Sequence, residues 1–253
     1  VRFDFEHVKK ETFGSGFPDY DTWQEEQNGS LNTLWASGNG GFALTAYGQP
    51  SSVYPTQSVE GYEGKGVQLT TRSTGPLGVM FGSPIAAGNL FYGHFDTSNA
   101  AMEPLKATQF GHPFDRKPLR FTGYYQYTPA KKVTDEEGKE LTDVKDSAAV
   151  YAIFYRNHDA AGHEVVIDGT NVKTSPAIIA RADMGYVAPQ TAWTAFDVAF
   201  AYTSEIDLDV LENNGYSLAL VFSSSKRGDV FIGAVGSTLK VDRVRVVCEK
   251  EQQ

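Results

Sequence analysis

A single cysteine, Cys248, stands in 253 residues, so neither an intramolecular disulfide nor a thiolate metal cluster can form. Stability has to come from packing, and Cys248, alternating with Leu239, Val241, Val244 and Val246, reads as a small apolar residue of the last strand. No apolar run approaches the roughly 20 residues a membrane helix needs. The opening VRFDFEHVKK has no signal-peptide core, so the chain reads as soluble, any export signal having been removed or never present. Positive charge is scarce too: 22 Lys+Arg against 31 Asp+Glu give a net charge of −9, which on average repels polyanions and argues against nucleic acid as a partner. The adjacent cations Lys131-Lys132 and Lys226-Arg227 read as solvated turns.

Catalytic signatures are equally sparse. There is no GxSxG elbow and no GxxxxGK[ST] loop, and the GSG at Gly14 to Gly16 lacks the flanking strand and helix of a dinucleotide site. The histidines, His7, His94, His112, His158 and His163, show no metal-ligand spacing, and His94 with Asp96 reads as a satisfied structural pair. Helical periodicity is almost absent, apart from DLDVLENNG, where Leu208 and Leu211 are three apart and Gly215 offers a C-terminal cap.

What is present is strand pattern. GVQLTT, NLFYGHF, LRFTGYYQYTP, AVYAIFYRN, EVVIDGTNV, AIIARADMGYV, TAWTAFDVAFAY, YSLALVFSSS, DVFIGA and STLKVDRVRVVCE are short, aromatic or β-branched, and bounded by turn residues. About ten such runs without helical partners predict an all-β chain, an antiparallel two-sheet β-sandwich of the jelly-roll kind, and the length suits one domain over 1–253. Asp168-Gly169 in VIDGTNV predicts a tight two-residue hairpin. Two stretches depart from the pattern. Residues 11–57 read as a long loop region holding Trp23, Trp35, Phe42, Tyr47 and Tyr54; residues 131–146 form a charged excursion without an aromatic.

Sugar recognition asks for flat aromatic faces beside groups that hydrogen-bond hydroxyls. In LRFTGYYQYTP the pleat puts Phe121, Gly123, Tyr125 and Tyr127 on one face and Thr122, Tyr124 and Gln126 on the other. The larger apolar face should be core, which leaves Tyr124 and Gln126 as ligand-binding candidates, with packing under a loop as the alternative for Tyr124. In TAWTAFDVAFAY, Asp197 shares with Trp193, Ala195, Ala199 and Ala201 the face that should be open, and reads as solvated. Trp35, followed by Ser37-Gly38-Asn39, sets an indole beside the amide of Asn39, either for stacking or for packing at the core edge. Loops at strand ends add Asp115 and Arg116 next to His112, and Arg227 and Asp229 next to Lys226. Glycoside cleavage would need two facing carboxyl groups, and none is singled out by spacing because strands bring distant residues together.

Phe5-Glu6, the WASGN of Trp35 to Asn39, the AAGNL of Ala86 to Leu90, the stretch from Phe110 to Tyr127 and the stretch from Ser223 to Asp242 together resemble the putative carbohydrate metabolism domain of exported proteins from glycan-degrading gut bacteria. The resemblance spans nearly the whole chain. It implies a jelly roll similar to carbohydrate-binding modules, an oligo- or polysaccharide partner, and an exported, periplasmic or cell-surface location. An immunoglobulin-like domain often precedes the jelly roll in that family, so the chain resembles the second domain alone or a compact member. Modules of this kind often hold a structural calcium where the first and last strands meet, which makes Glu6 and Asp242 candidate ligands; the alternative is an ion pair of Glu6 with Arg243 or Arg245. Three functions stay open: a non-catalytic carbohydrate-binding domain, a glycoside hydrolase or lyase, and a structural or adhesive module.

Overall fold

Alternation and its absence divide the chain into strands that bury one side and strands that bury both. The computed structural model describes residues 1–27, 29–80, 82–96 and 103–249. The chain enters through β1 (Arg2–Phe3), then β2 (His7–Glu11), β3 (Tyr20–Gln27), β4 (Ser30–Thr33), β5 (Trp35–Ala36) and the helical turn α1 (Asn39–Phe42). A hairpin of β6 (Thr56–Glu60) and β7 (Lys65–Thr70) is followed by β8 (Arg72–Ser73), α2 (Gly75–Met80), β9 (Ile85–Ala86) and β10 (Asn89–Phe95). Next come α3 (Pro104–Ala107), β11 (Thr108–Phe110), β12 (His112–Pro113), β13 (Pro118–Thr128), β14 (Val133–Thr134) and β15 (Ala149–Arg156). The remainder is β16 (Ile178–Asp183), β17 (Gln190–Ala199), β18 (Ala201–Tyr202), α4 (Leu208–Glu212), β19 (Tyr216–Ser223), β20 (Gly233–Ala234) and β21 (Thr238–Cys248).

Two antiparallel sheets face each other in a jelly-roll sandwich. One is six-stranded, ordered β17-β13-β21-β7-β6 with β1 also on β21; the other is eight-stranded, ordered β11-β10-β19-β15-β16-β18 with β12 on β19 and β5 on β10. Phe121, Tyr125, Tyr127, Leu239, Val241, Val244 and Val246 point inward from the first sheet and meet Val150, Phe154, Leu218, Leu220 and Phe222 from the second. At Gly123 an added Cβ would lie 2.7 Å from the Phe196 ring, so the missing side chain makes room for that ring between β13 and β17.

The sheets differ on their outer sides. In β15 and β19 every residue but the last is buried, and a second apolar cluster of Tyr151, Ile153, Tyr155, Ala219 and Val221 lies outside the eight-stranded sheet. Ile167 and Val172, from the segment between β15 and β16, cover it, held by Phe110 N–H donating to the Ile167 carbonyl at 2.7 Å and Arg181 donating to the Val172 carbonyl at 2.8 Å. Among the described residues, the outer side of the six-stranded sheet has no such cover over β13 and β17: Ala195, Asp197 and Ala199 are exposed.

Three sequence expectations need correction. Residues 11–57 are not one loop, because β3 pairs with both β2 and β4 and places Trp23 in the core. Asp168-Gly169 forms no two-residue hairpin; the Asp168 carboxylate accepts the Thr170 N–H at 2.8 Å, the Val172 N–H donates to the Asp168 carbonyl, and the chain winds through successive turns. The left-handed residue after α4 is Asn214 (φ 56°), one position before Gly215. In the charged excursion the Asp135 carboxylate accepts the N–H groups of Glu137 and Lys139 at 3.1 and 2.8 Å, and β14 pairs with β20, so the stretch is an ordered hairpin.

Candidate functional site

Register determines what the open side of the six-stranded sheet displays. Tyr124 on β13 stands opposite Ala195 on β17 and Asp242 on β21. Ala195 is small and exposed, and Trp193, two residues before it, is half-buried on the same side. Over Tyr124 lies Tyr62, from the tight turn of the β6–β7 hairpin; the two rings stack at 3.9 Å with planes 7° apart. Trp193 meets Tyr62 at 6.5 Å and 76°, forming a corner of aromatic surface, and Tyr62 is 48% exposed. The Tyr62 phenol is held above its ordinary range, first by its hydrogen bond with Tyr124.

Asp242 explains why Tyr62 is there. Its carboxylate projects to the open side yet is wholly buried beneath the hairpin, where it accepts the Glu63 N–H at 2.9 Å and the Arg243 N–H at 2.6 Å. Burial pushes its carboxyl upward in pKa while those amides oppose the shift. A Cβ at Gly61 would sit 2.6 Å from Asp242 Oδ2, so only glycine lets the hairpin close over it. Arg243, at a bulge in β21 with φ 50°, reaches Asp4 at 3.1 Å and pairs with Glu63.

The Glu6 carboxylate serves the same hairpin, accepting the Lys65 N–H at 3.0 Å. Glu6 and Asp242 thus meet at one turn, as the pairing of first and last strands implied, but what they meet there is a set of amide donors. Calcium needs six to eight oxygen ligands, and among the described residues no group of three or more His, Cys, Asp or Glu side chains is placed to hold a metal. Both carboxylates accept backbone amides there. The alternative pairing is corrected: Arg243 takes Asp4 and Glu63 rather than Glu6.

The other sequence candidates separate. Gln126 shares the open side with Tyr124 and donates from Nε2 to the Thr191 carbonyl at 2.8 Å. Trp35 is 1% exposed, packed against Phe3, Phe5 and Tyr92, its indole N–H donating to Glu25 at 2.9 Å, so it presents no stacking face. Asn39 is fully buried and clasps the Thr56 backbone, donating to its carbonyl at 2.8 Å and accepting its N–H at 3.1 Å; it fastens the chain before β6. Asp115 and Arg116 pair loosely at 3.5 Å in an exposed turn. Asp229 is taken by Lys173 at 2.5 Å, and Arg227 is exposed beside it. Sequence reading missed Tyr62, whose hairpin turn carries no periodic signal, and Glu25. Burial, with the charge of Asp4 adding to it, pushes the Glu25 carboxyl up to about 7 against the opposing Trp35 hydrogen bond.

A concavity of about 360 Å³ is bordered by β3 and β10, lined by Tyr20, Thr22, Thr33, His94 and Phe95 among others. Trp35 and Ser37 also border it, and His94 there packs edge-on against His112, whose pKa burial lowers to about 4.

The sandwich, with one sheet covered on both sides and the other displaying aromatic rings, defines a jelly-roll domain with one sheet side that the described residues leave open. The chain belongs to the family described as "Putative carbohydrate metabolism domain", whose model matches residues 4–247. It is similar to two crystal structures, each described as that of a putative glycoside hydrolase. The one from Bacteroides thetaiotaomicron VPI-5482 is 38% identical with a TM-score of 0.89, over 99% of this chain and 71% of that chain. The one from Bacteroides vulgatus ATCC 8482 is 38% identical with a TM-score of 0.88, over 98% of each chain. No curated protein matches the chain. Among the described residues no helix is long and apolar enough to cross a membrane.

Proposed function

We propose that this carbohydrate-metabolism domain binds an oligo- or polysaccharide on the open side of its six-stranded sheet, with Tyr62, backed by Tyr124, and Trp193 stacking on sugar rings and Gln126 hydrogen-bonding their hydroxyls. The observation that carries the reading is the parallel Tyr62–Tyr124 stack meeting Trp193 on a sheet side that the fold leaves uncovered. Aromatic rings on such a side gain nothing from packing a core, and they suit the apolar faces of pyranose rings. A glycan partner is consistent with an exported protein, where such polymers are met. The test is a glycan-array screen of the wild-type protein, repeated with Tyr62→Ala and Trp193→Ala. Loss of about tenfold or more in affinity for the hits, with unchanged melting, is expected; full affinity in both variants removes the platform.

Hydrolysis is the second reading, favoured by the description of the two 38%-identical structures and by Glu25. A half-buried carboxyl held up to about 7 keeps its proton near neutrality, as a general acid must. Reducing ends released from a bound glycan by wild type but not by Glu25→Gln would establish it; binding without release leaves the domain a binding module.

A further inference from the structure

Cross-strand register also fixes what flanks the aromatic corner. On one side, Gln57 of β6 opposes Gln68 of β7, Gln68 opposes Lys240 of β21, and Lys240 opposes Gln126 of β13, a transverse row of amides around one amine. On the other side, Arg2 of β1 opposes Arg245 of β21, Arg245 opposes Thr122 of β13, and Thr122 opposes Asp197 of β17. Arg120 stands one pair further along β13, and its Nε is held by Asp197 at 2.7 Å. At the usual strand spacing this second row spans roughly 14 Å.

The charges in these rows do not balance. Among the described residues Arg2, Arg245 and Lys240 have no carboxylate within ion-pair distance; the one carboxylate in the rows, Asp197, is committed to Arg120, and the nearby Asp4 and Glu63 are committed to Arg243. Like charges directly opposite each other on paired strands destabilise a sheet, so placing Arg2 against Arg245 works against folding. It occurs in a chain with 31 acidic and 22 basic residues, where carboxylates to pair with them are plentiful. Net charge describes the whole surface, and this side departs from it.

From this we infer that the glycan taken by the open side is anionic, carrying carboxylate or sulfate groups that lie along Arg2, Arg245 and Arg120 while its rings stack on Tyr62 and Trp193. The inference rests on the platform reading above. Guanidinium forks match the planar oxygens of a uronate or the oxygens of a sulfate ester by paired hydrogen bonds, and sugar hydroxyls on the opposite flank meet the Gln126, Gln68 and Gln57 amides.

The test uses two pairs of probes that differ in charge: polygalacturonate oligosaccharides with their methyl esters, and dextran sulfate with dextran. Titration at low salt should show the charged member of at least one pair bound about tenfold more tightly than its neutral partner, and which pair does so separates carboxylate from sulfate recognition. Arg2→Gln and Arg245→Gln should each erase most of that preference while raising the melting temperature slightly, because each relieves the cross-strand repulsion, and added salt should likewise weaken the preference. Equal binding of charged and neutral members, abolished by Trp193→Ala, overturns the anionic inference and keeps the platform. Undiminished affinity for the charged probe in both Trp193→Ala and Tyr62→Ala overturns the platform and the inference with it. Failure of both charged probes to bind also overturns the inference.

Discussion

The two sheets treat their outer sides in opposite ways. β15 and β19 put Tyr151, Ile153 and Ala219 on the outside and then bury them beneath Ile167 and Val172, whereas β13 and β17 put Tyr124, Trp193, Ala195 and Asp197 on the outside and leave them at least partly exposed. Covering apolar groups is what the hydrophobic effect favours, at about 1.5–3 kcal/mol for each large side chain. An aromatic corner that forgoes such cover, beside arginines that forgo partners, therefore points to a ligand as the group that completes it.

One substitution made twice breaks the comparison most sharply. Ala219 is fully buried on the covered side and Ala195 is exposed on the open side, each in a central part of its strand. Ala219→Lys should cost about 4 kcal/mol or more in urea denaturation, because a cation is driven into a packed, unpaired site. Ala195→Lys should change stability by about 0.5 kcal/mol at most while obstructing the floor between Tyr124 and Trp193, so glycan binding falls with the fold intact. Comparable destabilisation by both would mean that the two sides are equally buried.

Acid titration sharpens the comparison at lower amplitude, since Glu25 and His112, both strongly shifted within the acid range, lie in or against the β3–β5 region rather than on the open side. The folded pKa of Glu25 is raised from 4.5 to about 7, so its contribution to stability is full below pH 4.5 and is lost as pH rises toward 7. The folded pKa of His112 is lowered from 6.5 to about 4, so its contribution is full above pH 6.5 and is lost as pH falls toward 4. The two oppose each other across the acidic range. Glu25→Gln removes one of them, and the variant should lose on the order of 2 kcal/mol more than wild type on going from pH 6.5 to 4.5. Parallel stability curves would show that Glu25 titrates normally.

Much of this was legible in the residues and some was not. The alternation of β13 separates Phe121, Tyr125 and Tyr127 from Tyr124 and Gln126, and the structure buries the first set and half-exposes the second, because a pleat leaves a side chain only two directions. The unbroken apolar run of β15 likewise matches burial on both faces. Trp35 was ambiguous from sequence because an indole in a loop suits a core edge as well as a ligand, and packing with Phe3, Phe5 and Tyr92 resolved it. Tyr62 and the Arg2–Arg245 pair were not legible at all. Their meaning depends on register between β1, β7 and β21, residues separated by most of the chain, which no local pattern encodes.

Amide hydrogen exchange with and without the best glycan from the array tests the central claim most directly, since it reports where the ligand sits without altering a side chain. The account predicts added protection in the hairpin at 60–65 and in the facing strand segments at 122–126 and 191–197, with the Tyr20–Phe95 concavity unchanged. Protection confined to residues 20–22, 33–37 and 93–95, with the hairpin exchanging as before, would contradict it and move the site to that concavity.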